Sequence, residues 1–137
     1  MSRTFHYLST LVVILALSAC HTDSTVPQYD GAELYLNNCS NCHGVYGEGN
    51  GAVTPSLTVV MQDLRYLTQR NDGTFPTVFV QRIIDGRETR TAHGPEGMPM
   101  WGRVFSLQEG TDSSAKSRVD AKVGSLVDFL ESIQKTD

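Results

Sequence analysis

The residues best suited to chemistry lie close together in Cys39-Ser40-Asn41-Cys42-His43. Two cysteines three apart share one side of a helical turn, so both thiols can reach a single planar group. The next residue, His43, can then present an imidazole to a metal at the centre of that group. This is the attachment signature of c-type haem among the readings open to paired cysteines. The alternatives are a disulfide, a redox-active dithiol or a zinc site. A redox dithiol calls for a βαβ setting that the chain lacks. Zinc would need two further ligands at suitable spacing, and beyond the motif and the N-terminal segment only His21 and His93 remain.

A haem iron takes a second axial ligand, and the segment Gly97-Met98-Pro99-Met100-Trp101-Gly102 offers two thioethers. A thioether is a soft ligand that favours ferrous iron, so a His/Met pair raises the reduction potential, whereas a second imidazole from His93 would lower it. Met61 is expected in the core.

These groups must be positioned by helices. Asp30 is a possible N-cap for a helix over Gly31–Cys39, with Leu34 and Tyr35 as buried positions. Glycines at 44, 47, 49 and 51 exclude regular structure and predict a tight loop after the haem motif. Val60, Leu64 and Leu67 at helical spacing predict a short helix over residues 57–68, broken by Asn71-Asp72-Gly73. Pro76 can open another, with Val80, Ile83 and Ile84 as its apolar face and Gly86 as its stop. A turn is expected over Trp101–Phe105 and a polar loop over Gly110–Ser117. A closing helix follows over Val119–Ile133 with an apolar stripe at Val123, Leu126, Val127 and Leu130. No run alternates as a strand would, and the expected class is all-α with four to five short helices around one haem.

With its 137 residues the chain has room for one domain. The composition, 39% hydrophobic and 19% charged, gives no sign of disorder. A formal net charge of −4 without any Lys/Arg run makes nucleic acid an unsuitable partner. The N-terminus has its own character. Arg3, an apolar run over Leu8–Leu17 and the small residues of Leu17-Ser18-Ala19-Cys20 have the build of a secretory signal, and the ending resembles the bacterial lipoprotein box. The expected organisation is a signal peptide over 1–19, a tether over 20–29 and one haem domain over 30–137. Cys20 is the expected lipidation site, giving export to the periplasm and membrane anchoring without a spanning helix. Loss of residues 1–19 removes one base and no acid, so the remaining domain is more acidic and suits a basic docking surface.

With these residues in view, the chain resembles the class I c-type cytochromes over residues 30–133. In that family the first and last helices cross through a glycine and an aromatic residue meeting an aliphatic and an aromatic one. Gly31 and Tyr35 stand eight and four residues before Cys39, and Leu126 and Phe129 match on the closing helix. The resemblance implies one covalent haem c on Cys39 and Cys42, with His43 as proximal ligand. It also implies that the Pro55 carbonyl accepts the His43 imidazole N–H and that Leu57 packs on the haem. The family's distal methionine is followed directly by proline, which selects Met98, with Met100 and His93 as alternatives. Trp101 would pack near the haem edge or bond a propionate. Ala92-His93-Gly94-Pro95 with Met98-Pro99 is similar to a bacterial subgroup of membrane-associated cytochromes. The implied activity is electron transfer between respiratory partners, such as a membrane complex, a periplasmic dehydrogenase, an oxidase or a reductase. The other reading is a peroxidase-like enzyme or gas sensor with a labile sixth ligand.

Overall fold

The computed structural model describes residues 27–88 and 98–135. Five α-helices occur among them: α1 (Gly31–Asn38), α2 (Ser40–His43), α3 (Thr77–Asp85), α4 (Trp101–Glu109) and α5 (Ala115–Ser132). Three 3-10 turns occupy Thr54–Ser56, Leu64–Tyr66 and Gln69–Asn71, and the described residues contain no strand. The all-α class follows the sequence expectation.

Asp30 starts α1 as expected: its carboxylate accepts from the backbone N–H of Ala32 (2.8 Å) and Glu33 (3.2 Å). Helix α5 carries a buried stripe through Ala115, Val119, Val123, Leu126, Val127 and Leu130. That spacing keeps one face inward along the whole helix. The two helices cross where Gly31 and Tyr35 meet Ser125, Leu126 and Phe129. A Cβ on Gly31 would lie 2.8 Å from the Ser125 carbonyl carbon, so only glycine allows this approach. Tyr35 and Phe129 stack with centroids 4.9 Å apart, and both Tyr35 and Leu126 are fully buried. Helix α3 adds Val80 and Ile84 to the same core, and α4 adds Phe105. Helix α3 ends at Gly86, whose φ of +86° lets its N–H reach the carbonyls of Arg82 and Ile83.

Three boundaries differ from expectation. Residues 57–68 do not form a helix. Val60 is 92% exposed, and the segment runs irregularly until Asp63 starts a 3-10 turn by accepting from the Arg65 N–H. The physical reason lies at the C-terminus. The Gln134 carboxamide accepts from the Thr68 N–H (2.9 Å) and donates to the Leu64 carbonyl (2.8 Å). Those are the two groups that an α-helix would have joined to each other. Helix α4 runs four residues beyond Phe105, and α5 starts four residues before Val119, so the expected polar loop is much shorter. Arg118 draws the two helices together, bonding Glu109 on α4 (2.6 Å) and Asp112 in the turn (2.7 Å), while Lys122 also pairs with Glu109.

Candidate haem site

The motif is built on one backbone reversal. Cys39 ends α1, its N–H donating to the Tyr35 carbonyl, and its own carbonyl accepts from Cys42 (3.1 Å) and His43 (2.9 Å). This tight turn is α2. At Gly44, φ of +81° turns the chain away, and the Tyr35 hydroxyl donates to the Gly44 carbonyl at 2.8 Å inside the core. The glycine-rich loop then forms a floor under the motif by taking up its carbonyls. The Asn41 carbonyl accepts from Val53 N–H (3.0 Å), that of Cys42 from the Thr54 hydroxyl (2.9 Å) and that of His43 from Gly49 N–H (2.8 Å). Each carbonyl of Asn41-Cys42-His43 thus has a fixed partner, which a motif on a loose loop would lack. A Cβ on Gly51 would lie 2.6 Å from the Cys42 carbonyl carbon, so the floor depends on glycine there.

Above this floor opens a cavity of about 610 Å³. Cys39 and His43 line it on one side, and Leu64, Leu67, Phe79, Ile83 and Leu130 are among its apolar walls. Among the described residues His43 is the buried polar side chain, 8% exposed. Met98 lines this same cavity. Met100 does not: it is 46% exposed, and its side chain covers Gly86, where a Cβ would lie 2.6 Å from the Met100 Cγ. Cys42 is half-buried and is not among the residues that line the cavity. His93 and Cys20 lie outside the described residues.

Other expectations fare unevenly. Pro55 lies in the 3-10 turn that the Thr54 hydroxyl ties to Cys42. Leu57 is 38% exposed and does not line the cavity, a place taken by Leu64 and Leu67. Trp101 packs against Phe105, centroids 5.8 Å apart, and is not a lining residue either. Met61 is half-buried and outside both core and cavity lining. Three lining residues, Gln62, Arg70 and Asn71, have no sequence signal, since they fall in the stretch read as a helix and its break. Phe79 does have one: it stands four residues before Ile83 on α3 and shares its face.

The donor set fits a haem. The cavity is large and mostly apolar, with one buried imidazole, in the range that holds cofactors. Burial pushes the Cys39 thiol up to about 12, and neighbouring Cys42 adds to the shift. A redox dithiol needs the opposite, a thiol lowered toward neutrality. Zinc lacks its ligands, because no group of three or more His, Cys, Asp or Glu comes together among the described residues.

Comparison with curated proteins and with solved structures finds no match. Comparison with protein-family models finds one, described as cytochrome c oxidase, cbb3-type, subunit III, over residues 26–112. That span takes in Cys39, Cys42, His43 and Met98, and stops before α5. It covers more than half of the chain, which therefore belongs to this family as a class I c-type cytochrome, a domain that binds haem c and transfers electrons.

Proposed function

We propose that this cytochrome carries electrons through one haem c, joined to Cys39 and Cys42 by thioethers and ligated by His43 and Met98. It serves a membrane-bound oxidase or another respiratory redox complex, as a subunit or as a docked carrier. It is exported to the periplasm and held at the membrane by an acylated Cys20.

The observation that supports the ligand pair is that His43 and Met98 line one cavity while Met100 faces solvent. The bound haem supplies a one-electron couple at iron. The chain's own part would be to hold the His43 imidazole, exclude water with the leucine and α3 side chains, and offer the Met98 sulfur as a soft second ligand. If His43 and Met98 both held the iron, no position would be left for substrate or oxygen, which suits a carrier rather than an enzyme. A braced motif and a packed wall also limit rearrangement between oxidation states.

The test is Met98→Ala beside Met100→Ala. Haem should stay covalently bound in both, because attachment belongs to Cys39 and Cys42. Met98→Ala should abolish the far-red methionine–iron charge-transfer band of the oxidised protein and lower the potential. Met100→Ala should leave the band in place. The reverse pattern would move the ligand by two residues, and a band that survives both changes would refute methionine ligation.

A further inference from the structure

The end of α3 and the start of α4 meet through two glycines, one from each side. Gly86 closes α3, and Met100, at the N-cap of α4, lies directly against it. A Cβ on Gly86 would be 2.6 Å from both Cβ and Cγ of Met100 and 3.2 Å from its Cα. In return Gly102, the second residue of α4, packs on Asp85, the last of α3. A Cβ there would be 2.8 Å from the Asp85 backbone oxygen and 2.9 Å from its Cγ, with Oδ1 also in the way. Gly102 is buried inside a helix, where glycine is weaker than alanine, so what it provides is room for Asp85. The Asp85 carboxylate is itself held by pairing with Arg87.

Both sides of this contact are stiff. The Arg82 carbonyl accepts from the N–H groups of Gly86 (3.0 Å), Arg87 (2.9 Å) and Glu88 (3.1 Å). On α4 the Met100 carbonyl accepts from Arg103 (3.0 Å) and Val104 (3.1 Å), and the Ser106 hydroxyl donates to the Gly102 carbonyl at 2.7 Å. The helix on which α4 is seated also walls the cavity, through Phe79, Val80, Ile83 and Ile84. Met98 lines that cavity from a point two residues before the seat, and two residues span at most about 7 Å. Between them stands Pro99, whose ring fixes its own φ and keeps the preceding residue extended. Where Met100 is seated, Met98 must follow.

We propose that Gly86 and Gly102, with Pro99 as the stiff link, are positioning residues for Met98: they let α4 begin so close to α3 that the thioether is held at the iron. This rests on Met98 being the sixth ligand. A methyl group at Gly102 would push the start of α4 away from Asp85, and the displacement would pass through Met100 and Pro99 to the ligand. Met100→Ala differs, because it keeps the Cα and Cβ that meet Gly86 and therefore keeps the seat.

The experiment compares the oxidised holoproteins of wild type, Gly102→Ala and Gly31→Ala by the methionine–iron charge-transfer band and by cyanide titration. Cyanide binds only molecules in which Met98 has left the iron, so its apparent affinity follows that fraction. Gly102→Ala should weaken the band and raise the cyanide affinity about tenfold, the scale expected for overpacking by one methyl group. Gly31→Ala overpacks the α1–α5 crossing instead, so it should lose stability yet keep the wild-type band and cyanide affinity. Wild-type values in Gly102→Ala overturn the proposal. Equal changes in Gly31→Ala also overturn it, since lost stability would then be the whole cause. If Gly102→Ala does not mature, Pro99→Gly decides, because Pro99 is exposed and lies outside the core. A raised cyanide affinity in Pro99→Gly supports the stiff link and an unchanged one overturns it. A wild-type spectrum without the band refutes methionine ligation, and the positioning role falls with it. A wild-type band that Gly102→Ala leaves intact refutes the positioning role alone.

Discussion

Replacing Gly31 with alanine would put a methyl carbon 2.8 Å from the Ser125 carbonyl carbon and 3.0 Å from Phe129 Cβ, and closer still to the Ser125 oxygen. Two of the three obstacles are helix backbone, which cannot swing aside as the tip of a side chain can. Helix α1 would have to lift from α5, loosening the Tyr35–Phe129 stack and the buried Leu126 behind it. Overpacking of this kind costs about 1–3 kcal/mol. Alanine returns at most about 1 kcal/mol of helix propensity, and less at the first helical position. The net expectation is a loss on the order of 2 kcal/mol, and each kcal/mol lowers Tm by roughly 4–8 °C for a domain of this size. Gly124→Ala is the matched control, since its Cβ would meet nothing within 4 Å. It should gain about 0.5–1 kcal/mol. Thermal unfolding of the two oxidised holoproteins, followed by far-UV circular dichroism, should show Tm moving in opposite directions. If Gly31→Ala is as stable as wild type, or if both variants gain alike, the close crossing does not govern stability and the reasoning fails.

Attachment comes next: haem should remain with the chain on a denaturing gel stained for peroxidase activity, and Cys39→Ser with Cys42→Ser should remove the stain, whereas loss of stain from wild type would refute covalent binding. For the anchor, wild type should fractionate with membranes and Cys20→Ala should change processing or become soluble; identical soluble behaviour of both would dismiss lipidation. On acidification, Lys122 and then Arg118 hold the Glu109 carboxyl below the usual carboxylate range. Its pairing therefore stabilises the fold above the ordinary carboxylate pKa and is lost as pH falls through the lowered folded value. Tm of wild type and Glu109→Gln measured from neutral pH to about pH 3 should converge on the acid side. Parallel curves would show that the pairing contributes nothing.

The chemistry and the frame of this protein are legible in the sequence because they depend on short spacings. Cys39, Cys42 and His43 fall within one turn, and a covalent attachment motif is a local matter. The crossing of α1 and α5 is legible through the family resemblance, which Gly31 and Tyr35 carry by their distances from the motif and Leu126 and Phe129 by their match on the closing helix. The stop of α3 at Gly86 follows from backbone freedom that few residues have. What the sequence could not disclose depends on partners far along the chain. Residues 57–68 have helical spacing, yet Gln134, more than sixty positions away, takes the two backbone groups that would have closed the helix. The extents of α4 and α5 are decided by Arg118 and Lys122 reaching Glu109 across the turn. The same holds for the cavity. Periodicity can put Leu64 and Leu67 inward and the resemblance selects Met98, but the placement of Met98 in the cavity lining and Met100 outside it, two residues apart, is set by the folded chain. Arg70 has no motif at all. It gains its position because a segment without helical bonds is braced against the closing helix and the glycine loop, and that is decided by tertiary contacts alone.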